Sequence, residues 1–290
     1  MPTQQEIVDY YDLSKFDYQL YSGSLSDISM HFGLWDERTK TRREALEAEN
    51  RVLAELAEIR ARDCVIDLGC GYGSTAVWLA SQVGCRVVGI TLSHDQVAVA
   101  ERLAKKRRVQ HLVQFFAMDF HHTTFEDLTF DVAIAIESVC HSPDKPCVLR
   151  EAWRILRPSG RIAIADGYFG KSPDALTSRE REIATTCFQG VHVPPLPQRW
   201  ELARWLKEAG FSGITWWDKT SSILPVSKRV HDYAKFLLPV TKILGFFGVR
   251  ALRTSHAKAF INQYHARFSR WPRRLWDLPR RKAPVTSGAA

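Results

Sequence analysis

The chain has 290 residues, 45% of them hydrophobic, which is enough for one large domain with additions or for two small domains. Its six cysteines form no C-x-x-C pair, which argues against a disulfide framework or a zinc site and predicts a reducing, cytoplasmic location. No apolar run reaches about 18 residues and no secretory signal is recognisable, so neither a membrane span nor export is expected. The net charge of +8 arises from residues 226–290, which carry 14 Lys and Arg against 2 Asp and Glu.

Residues 1–38 are rich in aromatic side chains. They predict an N-terminal segment that either packs on the core or closes as a helical lid over a hydrophobic substrate. The next segment, 39–59, carries leucine and isoleucine at helical spacing behind the capping candidates Thr39 and Thr41, so it predicts a helix. This helix leads into the first strand of the core, which begins at Cys64.

Three glycines on alternate positions follow an apolar strand and precede a helical pattern. In this setting Gly69, Gly71 and Gly73 indicate a loop whose backbone a ligand approaches closely. Asp67 stands just before them, where it would repel a pyrophosphate and attract a cationic amino group. The D-x-G-x-G-x-G sequence resembles the first motif of class I S-adenosylmethionine (SAM)-dependent methyltransferases; the alternative is a structural turn in another α/β protein. The resemblance implies SAM contacts at these four residues and at Cys70.

The same resemblance implies an α/β, Rossmann-like fold with a mostly parallel central sheet and helices on both faces. It places the SAM-binding core at 39–220, with a substrate-pocket insertion near 168–197. An N-terminal lid precedes this core, and a basic helical segment over 221–290 follows it. Lipid- and isoprenoid-type members have a similar aromatic opening that closes over the site. By that resemblance Tyr21, Trp35 and, in the insertion, His192 are predicted substrate contacts.

The second predicted strand, 86–90, ends without the Asp or Glu that most class I methyltransferases use to bind the ribose hydroxyls. Its continuation through Thr91, Leu92 and Gln96 resembles cyclopropane-fatty-acid synthases and sterol methyltransferases, in which the glutamine serves the ribose. An amide side chain both donates and accepts hydrogen bonds, so Gln96 suits this task. Thr91 and Leu92 are predicted to contact the cofactor as well.

The third predicted strand, 113–117, is followed by Asp119 and Phe120. In the class I fold these positions offer a carboxylate to the adenine amino group and a backbone N–H to a ring nitrogen, so both are predicted cofactor contacts. The paired histidines His121 and His122 come next. No cysteine or carboxylate cluster completes a metal site around them, so a solvated loop is the favoured interpretation.

The fourth predicted strand, 130–136, ends in Glu137, with His141 close behind. Groups at the carboxyl ends of parallel strands face the ligand crevice, and partial desolvation would raise the proton affinity of a carboxylate there. Residues 135–143 resemble the signature of sterol side-chain methyltransferases, and prenyl diphosphate C-methyltransferases also place a glutamate at this point. The resemblance implies that Glu137 is the catalytic base and a cofactor contact, with His141 as a second catalytic residue. The alternatives are a Glu137 held by a lid tyrosine or a backbone amide, and a His141 that is only structural.

The rest of the chain predicts a helix at 146–156, a turn at 157–160, a fifth strand at 161–166 and a sixth at 214–217. The family usually ends in a seventh strand, but the prolines and basic charge at 269–281 fit a strand poorly, so that strand is predicted to be missing, displaced or short. The basic tail is compatible with a peripheral contact to anionic lipid. No nucleic-acid-binding module is recognisable, and the sequence leaves a homo-oligomer open.

The sequence therefore predicts an enzyme of secondary metabolism, which transfers a methyl group from SAM to an alkene carbon of a hydrophobic isoprenoid- or lipid-like small molecule. A prenyl diphosphate substrate would bring Mg²⁺ with it, but the chain has no Asp-Asp-x-x-Asp cluster, and no metal ligands are assigned. The first alternative is C- or O-methylation of a phenol, quinol or other natural product. The second is a non-catalytic SAM-fold partner subunit, which the near-complete set of cofactor motifs disfavours.

Overall fold

The computed structural model describes residues 29–170, 172–190, 193–229, 232, 235 and 277–281. Tyr21, His192, most of the predicted lid and most of the predicted C-terminal segment lie outside the described residues. The strands are β1 (Cys64–Leu68), β2 (Arg86–Thr91), β3 (Val113–Ala117), β4 (Phe130–Ile136), β5 (Leu156–Ala165), β6 (Phe211–Trp216) and β7 (Asp277–Arg281). The helices are α1 (Arg42–Leu56), α2 (Ser74–Gln82), α3 (His94–Lys106), α4 (Lys145–Ile155), α5 (Ser178–Gly190) and α6 (Arg199–Glu208), and residues 220–229 are also helical.

The described strands form one sheet in the order β3-β2-β1-β4-β5-β7-β6. Strands β1 to β5 pair in parallel, whereas β7 runs antiparallel to both of its neighbours, β5 and β6. The strand order reverses between β1 and β4. In such sheets the carboxyl ends of the strands at the reversal form the ligand crevice. The predicted Rossmann-like fold is confirmed, and it places the glycine loop at this crevice.

Apolar side chains leave both faces of the sheet and pack under helices on each side. In β1, Val65 belongs to the cluster beneath α1, α2 and α3, whereas its neighbour Ile66 belongs to the cluster beneath α4 and α6. Both residues are fully buried. A parallel strand that is covered on both faces needs apolar side chains on both faces rather than alternation, and β1 and β4 show this pattern apart from one aspartate each, Asp67 and Asp131.

A short seventh strand is present between β5 and β6, although its sequence was expected to fit a strand poorly. Its proline, Pro279, lies between the pairs Ser212–Arg280 and Thr215–Leu278 of the β6–β7 ladder. The register shifts at this point, so that two residues of β6 face one residue of β7. A bulge interrupts the regular ladder where the proline has no N–H to donate. The sheet therefore accommodates Pro279 because the bulge in the β6–β7 ladder lies at this residue.

The turn predicted at 157–160 is instead part of β5. Leu156 pairs with Phe130 and Arg161 pairs with Val132, so the register between β4 and β5 shifts within this stretch. Ser159 has a left-handed φ of +65°. The residues that favour a turn thus form an irregular start to the strand, from which the regular ladder runs to Ala165.

Helix α1 begins at a capping box formed by Thr41, one of its two predicted capping residues. The Thr41 side-chain oxygen accepts the backbone N–H of Glu44 at 3.2 Å, and the Glu44 carboxylate accepts the Thr41 N–H at 3.0 Å. We expect Thr41→Ala to lower the free energy of unfolding in urea by about 1 kcal/mol. Thr185→Ala, at an exposed position within α5, should be neutral or slightly stabilising. A loss of equal size at both positions would contradict the capping explanation.

Candidate active site

The glycine loop between β1 and α2 lies at the carboxyl ends of three strands. A Cβ atom on Gly69, which has a φ of +92°, would lie 2.5 Å from the Cβ of Ser138 and 3.8 Å from Cε1 of Phe120. Ser138 follows β4 and Phe120 follows β3, so only a glycine lets the three strand ends approach this closely. Gly71 and Gly73 also have positive φ angles, of +53° and +76°. The predicted motifs of β1, β3 and β4 are thus brought together.

Asp67, in β1, carries a buried carboxyl group and is only 3% exposed. Its Oδ2 atom makes no hydrogen bond to any described residue. Because burial disfavours the charged form, it raises the pKa of this carboxyl to about 7. Burying a polar oxygen without a donor costs free energy, and a ligand that supplies a donor or a positive charge would recover it. Asp67 is therefore an acceptor that lacks a partner within the described chain.

Cys70 lies in the glycine loop with its side chain buried. Burial, together with the nearby Asp67 carboxyl, raises the pKa of the Cys70 thiol well above its usual range. The backbone N–H of Cys70 donates to the carbonyl of Ile90 in β2 at 2.8 Å. The thiol thus stays protonated, and the residue fixes the loop to the neighbouring strand.

A segment over residues 29–36, here called the strap, crosses the glycine loop. The Cε atom of Met30 would lie only 2.9 Å from a Cβ atom on Gly71. The side-chain oxygens of Ser29 and Ser74, the first residue of α2, are hydrogen-bonded at 3.1 Å. The strap therefore covers the glycine loop and is hydrogen-bonded to α2, the helix that follows this loop.

Two glutamates hold the next residues of the strap. The backbone N–H of Phe32 donates to Oε1 of Glu137 at 3.1 Å, and the N–H of Gly33 donates to Oε2 of Glu49 at 2.9 Å. Nδ1 of His31 lies 2.5 Å from the same Glu49 oxygen, in a buried contact. Glu137 thus accepts a backbone N–H, as one of the sequence-based alternatives for it describes, and this bond joins the strap to the end of β4.

Trp35, near the end of the strap, packs against the 220–229 helix. It is 5% exposed, its backbone N–H donates to the carbonyl of Ser222 at 2.8 Å, and its ring packs with Val226. The guanidinium of Arg229 lies 3.9 Å from the ring centroid, which is close enough for a cation–π contact. This helix begins one residue before the predicted start of the C-terminal segment. The structure therefore places this predicted substrate contact in a buried junction.

The end of β2 orients Gln96. The hydroxyl of Thr91 donates to the amide oxygen of Gln96, and both side chains are buried. Ser93 caps α3 by accepting the backbone N–H of Gln96 at 3.3 Å. Leu92, which lies between Thr91 and Ser93, is half-buried. The predicted ribose-binding amide is thus held at the crevice end of β2 by a neighbouring hydroxyl and by the helix cap.

Asp119 and Phe120 follow β3 and contact His121. Oδ1 of Asp119 accepts the backbone N–H of His121 at 2.9 Å and lies 2.6 Å from Nδ1 of the same residue. The rings of Phe120 and His121 are 4.9 Å apart between centroids. The expectation of a solvated loop is wrong for His121, whose side chain is only 13% exposed, because its ring nitrogens are engaged; His122 is exposed as expected.

Residues 137–142, here called the β4 turn, carry both predicted catalytic residues. Glu137 has a left-handed φ of +48°, and the buried His141 ends a 3₁₀ turn that begins at Val139. The left-handed conformation of Glu137 costs on the order of 1 kcal/mol in a non-glycine residue and persists where surrounding contacts impose it. The hydroxyl of Ser138 supplies one of them by donating to the carbonyl of Leu68, at the end of β1, at 2.5 Å.

Two charged residues that the sequence did not single out also hold the β4 turn. Oδ2 of Asp166 accepts the backbone N–H of Cys140 at 2.8 Å, and Nζ of Lys145 donates to the carbonyls of Cys140 and Ser142 at 3.3 and 2.9 Å. Burial raises the pKa of the Asp166 carboxyl and lowers that of the Lys145 ammonium group. Asp166 could have been found from its place directly after β5, whereas Lys145 lies at a helix start that gave no signal.

These residues fit SAM better than a phosphate-bearing nucleotide. The glycine loop admits a close backbone approach, and the unpartnered oxygen of Asp67 suits a cationic amino group. Among the described residues, no group of three or more His, Cys, Asp and Glu side chains is placed to hold a metal ion. In the same part of the chain, no helix is both long and apolar enough to cross a membrane.

Comparison with known proteins identifies the class. A family model described as a methyltransferase domain matches residues 66–164. The O-methyltransferase rstn1 of Aspergillus nomiae is 33% identical over 226 residues, which cover 75% of this chain and 93% of that protein. Given this match and the fold, the chain belongs to the class I SAM-dependent methyltransferases.

Other relatives include methyltransferases whose names state an oxygen or a carbon acceptor and one whose name states neither. The 27-O-demethylrifamycin SV methyltransferase of Amycolatopsis mediterranei is 37% identical over 63% of this chain, and the match spans 66% of that relative. The match to methyltransferase GfsG of Streptomyces halstedii, also 37% identical, spans 56% of this chain and 58% of that relative. The sterol 24-C-methyltransferase of Schizosaccharomyces pombe is 27% identical over 89% of this chain and 67% of its own length.

Solved structures support the same fold. The [4+2]-cyclase SpnF superposes with a TM-score of 0.78 at 23% identity, over 97% of this chain and 98% of its own. A geranyl diphosphate methyltransferase bound to geranyl diphosphate and sinefungin gives a TM-score of 0.70 at 19% identity, over 97% of this chain and 100% of its own. At these identities the likeness shows the fold alone, and the cyclase illustrates that one fold serves different activities.

Proposed function

We propose that this chain transfers a methyl group from SAM to a carbon atom of a hydrophobic, isoprenoid- or lipid-like small molecule, with Glu137 as the base. The observation that carries the proposal is the approach of the β4 turn to the glycine loop. The 2.5 Å bond from the Ser138 hydroxyl to the Leu68 carbonyl brings Glu137 to the carboxyl end of β1. A carboxylate there stands beside the site that the loop and Asp67 offer to the cofactor.

The chain's own residues have separable tasks in this proposal. When bound, SAM supplies a methyl group made electrophilic by its sulfonium centre. Asp67 and the glycine loop hold the amino-acid end, Gln96 the ribose and Asp119 the adenine. Methylation of an alkene carbon leaves a cation, and Glu137 takes a proton from the neighbouring carbon so that the C–H electron pair restores the double bond. The Phe32 N–H keeps the Glu137 carboxylate oriented during this step.

Methylation of a hydroxyl oxygen is the second candidate, and a specific observation favours it. Three of the relatives more than 30% identical are named as O-methyltransferases or as the methyltransferase of a 27-O-demethyl compound. In that reaction the base takes the proton from the hydroxyl itself. The buried His141 or Glu137 would fill this role on the same turn, so the two candidates differ in the acceptor atom and share the site.

One labelling experiment tests both candidates. The protein is incubated with SAM carrying a ¹³C-methyl group and a panel of geranyl and farnesyl diphosphates, squalene, sterols, quinols and polyketide phenols. We expect label in at least one acceptor, and carbon NMR of the product separates a C-methyl from an O-methyl group by chemical shift. Label only on oxygen would favour the second candidate. Absence of label from every acceptor, with SAM still bound, would count against both and favour a non-catalytic SAM-fold protein.

A further inference from the structure

His121 links two parts of the site that the proposed function treats separately. Its Nδ1 atom lies 2.6 Å from Oδ1 of Asp119, and its Nε2 atom lies 2.8 Å from Oγ of Ser142. Asp119 follows β3, whereas Ser142 belongs to the β4 turn and directly follows His141. Because both ring nitrogens are engaged, the imidazole is a bridge between the predicted adenine-binding carboxylate and the turn that carries both predicted catalytic residues.

The hydrogen-bonding chemistry fixes the direction of the bond between His121 and Asp119. An ionised carboxylate can only accept, so Nδ1 of His121 carries a proton and donates to Asp119. Nε2 forms the second hydrogen bond of the ring, to the hydroxyl of Ser142. The backbone N–H of His121 donates to the same Asp119 oxygen at 2.9 Å. Two donors from one residue therefore set the orientation of this carboxylate.

The Ser142 end of the bridge is rigidly placed. Ser142 is 1% exposed, its backbone N–H donates to the carbonyl of Val139 at 3.0 Å, and its own carbonyl accepts from Nζ of the buried Lys145 at 2.9 Å. The Phe120 ring packs beside the imidazole of His121. A displacement of Asp119 is thus transmitted through one ring to a turn that is itself held by several bonds.

We propose that His121 is a positioning residue that couples the adenine end of the SAM site to the β4 turn. Cofactor binding at Asp119 stabilises the bridge and so further stabilises the turn that carries Glu137 and His141; by linkage, the bonded turn strengthens cofactor binding by the same factor. This coupling rests on the proposed role of Asp119 in adenine binding. It makes the catalytic turn more resistant to opening when the methyl donor is bound than when it is absent.

Two substitutions break the bridge at its far end without touching Asp119. His121→Asn places an amide nitrogen near the position of Nδ1 but is too short to reach Ser142, and Ser142→Ala removes the hydroxyl. The exposed neighbour His122→Ala is the matched control. The probe is S-adenosylhomocysteine, which needs no knowledge of the acceptor. Its affinity is measured by calorimetry, and amide hydrogen exchange of the 138–142 peptide is measured with and without it.

In the wild-type protein and in His122→Ala, S-adenosylhomocysteine should slow exchange in the β4 turn by about tenfold, the effect of one hydrogen bond to a charged network. In His121→Asn and Ser142→Ala this ligand-induced protection should disappear, and the ligand should bind roughly five- to tenfold more weakly. A merely structural role would accelerate exchange equally with and without ligand. Ligand-induced protection that survives in both variants, or is missing from the wild type, would overturn the coupling.

Asp119→Ala separates this coupling from the proposed function. If that variant binds S-adenosylhomocysteine as tightly as the wild type, the adenine role of Asp119 fails, and the coupling fails with it. If Asp119→Ala binds weakly while Ser142→Ala binds normally and keeps its protection, the cofactor site stands and only the bridge is rejected. Two bridge variants are included so that misfolding of one, detected by circular dichroism, still leaves the other to decide.

Discussion

Replacement of Glu137 by glutamine is expected to lower the rate of methyl transfer by about 100- to 10,000-fold while changing SAM affinity little. Glutamine keeps the side-chain oxygen that accepts the Phe32 N–H, so the strap remains tied to the end of β4. It loses the negative charge and the ability to take up a proton. The variant therefore tests the base separately from the strap. The measurements are initial rates with the acceptor found by labelling and SAM affinity by calorimetry.

Two further variants serve as controls for this result. Glu137→Ala removes both the base and the acceptor for the strap, so it should weaken SAM binding where Glu137→Gln does not. Asp131→Asn is the matched control, since Asp131 lies at the opposite end of β4 and accepts the Cys64 N–H at 2.8 Å and an Arg157 N–H at 2.9 Å. It should lower stability and leave the turnover of folded protein intact. Full activity in Glu137→Gln would remove the base role.

The parts of the fold that follow from local sequence are those with strong patterns. Strands β1 and β4 are apolar apart from one aspartate each, because helices cover both faces of the sheet, and a glycine or a polar residue follows each strand. Strand β7 has no such pattern, since its sequence is Asp-Leu-Pro-Arg-Arg. It forms a strand because it fills the space between β5 and β6, and the β6–β7 ladder accommodates Pro279 by a shift in register. That is a property of the assembled sheet, which a local pattern does not record.

The same contrast holds for the site. Asp67, Asp119 and Glu137 could be found because each follows or ends a strand whose carboxyl end borders the crevice. Contacts between segments that are far apart in sequence could not be found in this way. The strap residue Phe32 is hydrogen-bonded to Glu137 across 105 positions of sequence, and Asp166 is hydrogen-bonded to Cys140 across 26. Motifs thus identify the groups at the strand ends, while their orientation depends on neighbours that only the folded chain brings close.

The second large effect is expected at Asp67, where stability and cofactor binding should change in opposite directions. Burial raises the pKa of this carboxyl to about 7 in the folded chain, against about 3.9 for an unfolded aspartate. Between these values the folded state holds a proton that the unfolded state has released. The folded state is therefore increasingly penalised as the pH rises from about 4 to about 7, and the full penalty, on the order of 4 kcal/mol, persists above that.

Asp67→Asn removes the titration and keeps the shape of the side chain. We expect urea unfolding of the ligand-free variant to show a stability advantage over the wild type that is larger at pH 8 than at pH 5, because at pH 8 the wild type carries an uncompensated buried charge. The variant should bind SAM roughly 10- to 100-fold more weakly at pH 8, because an amide lacks the charge that attracts the amino group. Wild-type affinity for SAM should rise between pH 6 and pH 7, where the carboxyl ionises while the amino group of SAM is still mostly protonated, whereas that of the variant should change little over this range.

The contrasting control is Asp63, the buried aspartate just before the other end of β1. Its carboxylate is paired with Arg161 at 2.7 Å, so its charge is compensated within the chain. Asp63→Asn should therefore destabilise the protein at pH 8 and leave SAM affinity unchanged, the reverse of the result at Asp67. If the stability difference between the wild type and Asp67→Asn were the same at pH 5 and pH 8, Asp67 would not titrate in this range. The unpartnered carboxylate would then not be what the cofactor compensates, and the charge-based selection of SAM at the glycine loop would be rejected.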